Sequence, residues 1–184
     1  MKEINLFSEQ QKFRQIWVWI MLLTLLCIPA YTLWGTIRQL RNDIPFGNNP
    51  TSNIGVIIVF IIILISVLLP FILVLTMKLE TIISKEGINF RFFPFHLNFR
   101  NYKWEKISKA FVRNYSPLGE FGGWGIKYSY RTGIRLFNIS GNQGLQIELK
   151  NGKKILIGTQ KMNELEVVLK KIEQMNKENQ SKII

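Results

Sequence analysis

The stretch EFGGWGIKYSYRTG, residues 120–133, gathers glycines, aromatics and cations in a way that invites comparison with a phosphate-gripping loop. Such a loop needs G-x-x-x-x-G-K-[ST] between a strand and a helix, because backbone N–H groups and the helix N-terminus hold the anion. Here Gly119, Gly122, Gly123 and Gly125 precede Ile126, Lys127 and Tyr128, no Gly-Lys-Ser/Thr follows, and G-x-G-x-x-G is absent. The following residues alternate like a strand, so the glycines are expected to turn the chain and admit a close backbone approach. Trp124 is then expected to pack on the sheet or a neighbouring element. A second reading sets Phe121 and Trp124 at the headgroup level of a membrane, with Lys127, Arg131 and Arg135 nearby, since aromatics and cations suit that interface.

Other catalytic groups are sparse. His96 is the only histidine, Asp43 the only aspartate and Cys27 the only cysteine. Histidine pairs, His-based metal sites and an intramolecular disulfide are thereby excluded. The glutamates show no pairing, and no serine or cysteine carries a nucleophile motif. No catalytic residue, cofactor or metal is expected; the chain reads as a non-enzymatic protein that works through its surface.

The elements that position this surface begin with two uncharged runs, Ile16 to Ile37 and Thr51 to Met77, in a chain where a fifth of residues are charged. Each exceeds the roughly 20 residues that cross a hydrocarbon core of about 30 Å. Transmembrane helices are therefore predicted over 16–37 and 54–77, with a short extracytoplasmic connection at 38–53 and an N-terminal cytoplasmic segment at 1–15. Trp17 and Trp19 at one end and Tyr31 and Trp34 at the other are placed as interface anchors. The first run is longer than the apolar region of a signal peptide and lacks a clean cleavage site, so it is read as retained.

The formal net charge is +12. Lys2, Lys12 and Arg14 precede the first run, the connection holds only Arg38 and Arg41 beside Asp43, and the remaining cations begin at Lys78. The positive-inside bias then makes both termini cytoplasmic, in a multi-pass protein of the cell membrane. The cations are interspersed with Glu80, Glu86, Glu105, Glu148, Glu164 and Glu166, without a recognition helix or basic tract. An anionic leaflet accounts for them better than nucleic acid does.

After Met77 the pattern changes to short alternating segments: 79–84, 88–93, 106–115, 125–130, 135–140 and 145–149. Asn151-Gly152 marks a hairpin. Apolar pairing predicts Leu149 opposite Ile155 and Ile147 opposite Ile157, in preference to Leu149 opposite Lys154. Leu165, Val168, Leu169 and Ile172 recur at helical spacing over 162–174, capped by Thr159 or by an Asn163/Glu166 box, and the tail at 176–184 is expected to fray.

Six or seven strands closed by an amphipathic helix over 78–175 give the layout of a pleckstrin-homology-like barrel. GGWGIKY (122–128), FNISGNQGLQIELKNGKKILIGTQ (137–160) and the NELEVVL helix resemble membrane-anchored bacterial pleckstrin-homology-domain proteins. The resemblance implies a membrane-anchored α+β protein, a two-helix hairpin followed by that barrel, and carries no biochemical role onto particular residues. Soluble members that read phosphoinositides carry basic residues on the first hairpin. The matching stretch offers Lys85 and Arg91 but has Phe93 where the last arginine belongs, so that function is not implied. The expected role is an interaction or scaffolding module whose partners are the bilayer and a protein or a second copy. The alternatives are a sensor of anionic headgroups or envelope stress through Arg91, Lys127, Arg131 and Arg135, and an accessory subunit of a transporter.

Overall fold

The computed structural model describes residues 5–48 and 51–181. They divide into two bodies, one formed by Phe13–Thr76, the other by the residues up to Lys12 together with those from Met77 onward.

The first body is a helical pair. Helix α1 (Ile16–Leu25) is followed by α2 (Cys27–Asn42), and α3 (Asn53–Thr76) packs against α2. The interruption at Leu26 has a local cause. Pro29 has no N–H to give the carbonyl four residues back, and its ring crowds that carbonyl. Taken together, Ile16–Asn42 and Asn53–Thr76 are 27 and 24 residues long, apolar enough to cross a membrane. Only 17% and 11% of their most apolar stretches are buried, so they are not core helices of a globular body. The first span overruns its expected end at Ile37 because IRQLRN continues the helix with Arg38 stacked over Trp34, 5.4 Å from the ring. Gln39 then organises the connection: it donates to the Thr51 carbonyl at 2.9 Å and the Asn53 side chain at 3.1 Å, and accepts from the Phe46 amide. Tyr31 packs on Phe46 at 5.4 Å between ring centroids.

The second body holds two sheets, not a closed barrel. Strands β1 (Phe7–Lys12), β2 (Lys78–Ile83), β3 (Gly87–Phe93) and β4 (Arg100–Lys103) form an antiparallel sheet in that order. Beyond them lie β5 (Ile107–Asn114), helix α4 (Pro117–Phe121), β6 (Gly125–Ser129), β7 (Ile134–Asn138), β8 (Gln143–Leu149) and β9 (Lys154–Gly158). These five strands are ordered β5-β8-β9-β7-β6, with β7 and β9 parallel. The expected pleckstrin-homology-like barrel does not close: β8 inserts between β5 and β9, leaving β6 and β5 as the two edges of this sheet.

Alternation builds the core. Leu79 and Ile83 of β2 and Phe90 and Phe92 of β3 turn inward; the larger sheet is buried on both faces, with Phe137, Ile147 and Ile155 on one and Leu136 and Leu156 on the other. Phe90 meets Phe137 at 4.9 Å between centroids, joining the two sheets. Helix α5 (Met162–Ser181) lays Leu165 and Ile172 against β5 and β1. It outruns its expected end at residue 174, and the last residues of the expected tail, 182–184, lie outside the described residues. Neither expected cap is seen among the described residues: the Thr159 hydroxyl accepts from the Lys161 amide at 3.0 Å, a local turn just ahead of the helix.

The β8–β9 hairpin departs from the expected register by two residues. Ile147 lies opposite Ile155, and Leu145 opposite Ile157. The Leu149 amide donates to the Lys153 carbonyl, and the Gly152 amide to the Leu149 carbonyl, which makes the turn tighter than apolar matching alone implied. A two-residue shift leaves every side chain on its original face, so apolar still meets apolar.

The largest surprise is β1. FSEQQK pairs with the strand that follows the second span: Phe7 lies opposite Ile83, and Lys12 opposite Lys78. Its inward residues are Phe7, Glu9 and Gln11, so no hydropathy alternation announces it.

Candidate functional site

The glycine stretch is a structural fixture. Ser116 accepts from the Gly119 amide at 3.1 Å and caps α4, which carries Pro117 at its first position. Gly122 ends the helix at φ 71°, a left-handed conformation that a side chain would strain. Arg113 of β5 clamps the turn, donating to both oxygens of Glu120 at 2.9 and 3.3 Å and to Gln146 at 2.7 Å. The Arg113 guanidinium holds the Glu120 carboxyl below its usual value, against a smaller opposing effect of burial.

Beneath this turn Phe121 is 7% exposed and meets Tyr115 edge-on at 5.8 Å. That removes Phe121 from the expected contact surface: it is a core residue of the small cluster with Tyr115, Ile134, Leu136 and Leu156. The Tyr115 hydroxyl receives the Asn138 amide, while the Asn138 oxygen accepts from the Gly125 amide at 3.2 Å. Burial pushes the Tyr115 phenol up to about 12. Through Asn138 the start of β6 is tied to the core.

What the fixture positions is an edge. Strand β6 pairs only with β7, and among the described residues no strand lies on its other side. Trp124, Ile126, Tyr128 and Tyr130, at alternate positions, are all exposed. Trp124 also donates its indole N–H to the Gly141 carbonyl at 3.2 Å, and Tyr128 meets Tyr130 edge-on at 5.1 Å. Lys127 lies opposite Leu136, and Tyr128 opposite Arg135, so the two cations occupy neighbouring rungs. Arg131 is exposed in the turn that follows.

Arg91 belongs to a different surface. Its Nε donates to Glu80, which also accepts from Lys78 Nζ at 3.2 Å and from Gln10 at 2.8 Å. Burial pushes the Glu80 carboxyl up, but these hydrogen bonds together outweigh it and leave the group below its ordinary value. The Arg91 guanidinium also stacks over Phe99, at 4.6 Å. Arg91 is thus engaged within the first sheet and does not join Lys127, Arg131 and Arg135 in one basic cluster.

The β3–β4 connection, PFHLNF at 94–99, is a feature that hydropathy patterning of strands passed over. Its signal was the alternation Phe95, Leu97, Phe99 around a single histidine. His96 packs between Phe90 and Phe137, at 6.0 and 5.2 Å, and its amide donates to the Phe92 carbonyl at 2.8 Å. Burial first, then the nearby Arg100 and Arg135, lowers the His96 pKa.

Among the described residues no three His, Cys, Asp or Glu side chains converge as metal ligands. An open groove of about 650 Å³ runs between β5 and α5, lined among others by Trp104, Phe111, Glu166 and Lys170. Comparisons with protein-family models, curated proteins and solved structures yield no match to this chain.

Proposed function

We propose that this chain is a non-enzymatic integral protein of the cytoplasmic membrane that presents a β-rich module as a docking platform for another polypeptide. The observation that carries the reading is the free edge of β6, with Trp124, Ile126, Tyr128 and Tyr130 exposed in one row. An unpaired strand edge offers a ladder of N–H and C=O groups to an extended segment, and alternate side chains supply selectivity. Arg135, opposite Tyr128, and Arg131 in the following turn favour a segment that carries acidic residues, while Lys127 points to the other face of the strand.

Membrane residence rests on the two apolar helices and their lipid-like exposure. Pairing of β1 with β2 brings the flanks of the helical pair into one sheet, which requires both flanks on the same side of any bilayer the pair crosses. The distribution of Lys and Arg favours the cytoplasm as that side. The resemblance to membrane-anchored pleckstrin-homology proteins supports a module of this kind, although two sheets depart from that barrel layout.

A photoreactive phenylalanine analogue at Ile126 or Tyr128, in the full chain in its membrane, tests the platform. A discrete adduct is expected from both positions and not from Lys85, at twice 21.6 kDa for a second copy and at another mass for a separate partner. No adduct from β6, or the same adducts from Lys85, sinks the reading.

A further inference from the structure

We propose that the β3–β4 loop, residues 94–99, is a membrane-dipping element: Phe95, Leu97 and Phe99 insert into an anionic bilayer surface, while His96 holds the loop from inside. The proposal rests on the membrane reading given above.

Exposure is the first support. Phe95, Leu97 and Phe99 are 58%, 71% and 39% exposed. Three large apolar side chains at alternate positions of a six-residue loop form a patch that water does not favour.

Rigidity is the second. The His96 ring is wedged against Phe90 and Phe137, its Nδ1 accepts from the Phe92 amide at 3.4 Å, and Arg91 donates to the Leu97 carbonyl at 3.4 Å. Pinned at its centre, the loop keeps these side chains exposed even though the Phe95 ring touches Phe92 at 6.1 Å between centroids. The apolar side chains are displayed by construction, so the cost of ordering them has already been met in folding.

Position is the third, and it follows from covalent geometry alone. Phe93, the residue before the loop, lies opposite Lys78, and Lys78 lies opposite Lys12. Only Met77 separates Lys78 from the end of α3, and residues 13–15 separate Lys12 from α1. Two extended residues reach about 7 Å and adjacent strands stand about 5 Å apart, so Phe93 lies within about 12 Å of the last residue of the span. The loop therefore leaves the sheet from the rung at which the chain passes to and from the apolar helices.

Charge names the surface. Lys78 Nζ stands 5.7 Å from the Phe93 ring, Arg91 4.6 Å from Phe99, and Arg100 5.9 Å from Phe137. Lys78 and Arg91 share the single carboxylate of Glu80, so with Arg100 the base of the apolar tip keeps a net positive charge that matches the acyl–headgroup boundary of an anionic leaflet. A neutral protein groove would match the tip and leave that charge unused.

The test uses the full chain with Cys27→Ser, reconstituted into vesicles of phosphatidylcholine and phosphatidylglycerol, with single cysteines carrying an environment-sensitive fluorophore. Leu97→Cys reports the loop, Ile62→Cys the apolar span, and Lys85→Cys the opposite end of the β2–β3 hairpin. The label at 97 is expected to shift to the blue and to be quenched several-fold more by lipid bearing a shallow spin label than the label at 85. If 62 is quenched by lipid while 97 stays open to aqueous iodide, the loop does not insert and the membrane reading survives. Protection of 97 from iodide without lipid quenching means that protein covers the loop, which also overturns the proposal. Absence of lipid quenching at 62 defeats both readings together.

Discussion

Glu9 accepts a hydrogen bond from the Thr159 hydroxyl at 2.6 Å, joining side chains 150 positions apart in the sequence. The second oxygen of Glu9 accepts from the Gln160 amide at 2.8 Å and from Gln11 at 3.1 Å, and Gln11 also donates to the Gly158 carbonyl at 2.8 Å. Thus β1 holds the junction between the last strand and α5. Replacing Glu9 with alanine strands the buried Thr159 hydroxyl and the part-buried Gln160 amide, and is expected to lower unfolding stability by about 2–4 kcal/mol. Denaturant unfolding of the solubilised full chain measures it. A double-mutant cycle with Thr159→Val should return a coupling above about 0.5 kcal/mol, as contacting residues do; additivity would refute the contact.

The β1–β2 register is testable by a covalent bond. Ser8 lies opposite Ile82. In a Cys27→Ser background, Ser8→Cys with Ile82→Cys should oxidise to an intramolecular disulfide, because cross-strand Cβ atoms stand about 4.5–5.5 Å apart. Ser8→Cys with Lys85→Cys serves as the off-register control. Failure of the first pair to outpace the second would dissolve the argument that both flanks of the helical pair share one side.

His96 is the sole histidine, so its titration can be followed without ambiguity by magnetic resonance of labelled imidazole. The midpoint is expected below 6.5, with burial as the main cause. The unfolded chain then binds the proton more readily than the folded one. The stabilising contribution of the neutral ring is full above pH 6.5 and fades as pH falls below it. A midpoint at or above 6.5 would show that the ring does not sit against Phe90 and Phe137.

Tyr115→Phe keeps the ring and deletes the hydroxyl that receives the Asn138 amide. Asn138 is fully buried, so its unpaired N–H should cost about 1–3 kcal/mol. Because the same Asn138 holds Gly125, hydrogen exchange at the start of β6 should quicken more than exchange in β2. Equal change in both strands would mean that the network does not fix the edge.

Much of the architecture was legible where burial and hydropathy coincide. The β2–β3 hairpin and the inward face of α5 place Ile, Leu or Phe at positions the fold buries, while the spans at 16–42 and 53–76 announce themselves by unbroken hydropathy alone. It was illegible where they part. Strand β1 buries Glu9 and Gln11, whose hydrogen-bond partners lie at residues 158–160, so no local pattern could reveal it. Strand β4, RNYK, is a polar edge, and α4 spans only PLGEF. At the candidate site, Trp124, Lys127, Arg131 and Arg135 fall on or beside one edge strand, whereas Phe121 is internal and Arg91 is spoken for by Glu80. Aromatic residues next to glycines look alike in sequence whether they face the core or the solvent. Only the Ser116 cap and the Gly122 turn decide that Phe121 points inward and Trp124 does not.

The pairing of β1 with β2 also dictates an order of events during synthesis. The first strand emerges from the ribosome before either apolar segment, yet its neighbour appears only after both have been made, and the groups that bind Glu9 come later still. Until then Phe7, Glu9 and Gln11 have nothing to rest against. A chain cut short before Thr159 leaves Glu9 without the hydroxyl and the amide from which it accepts.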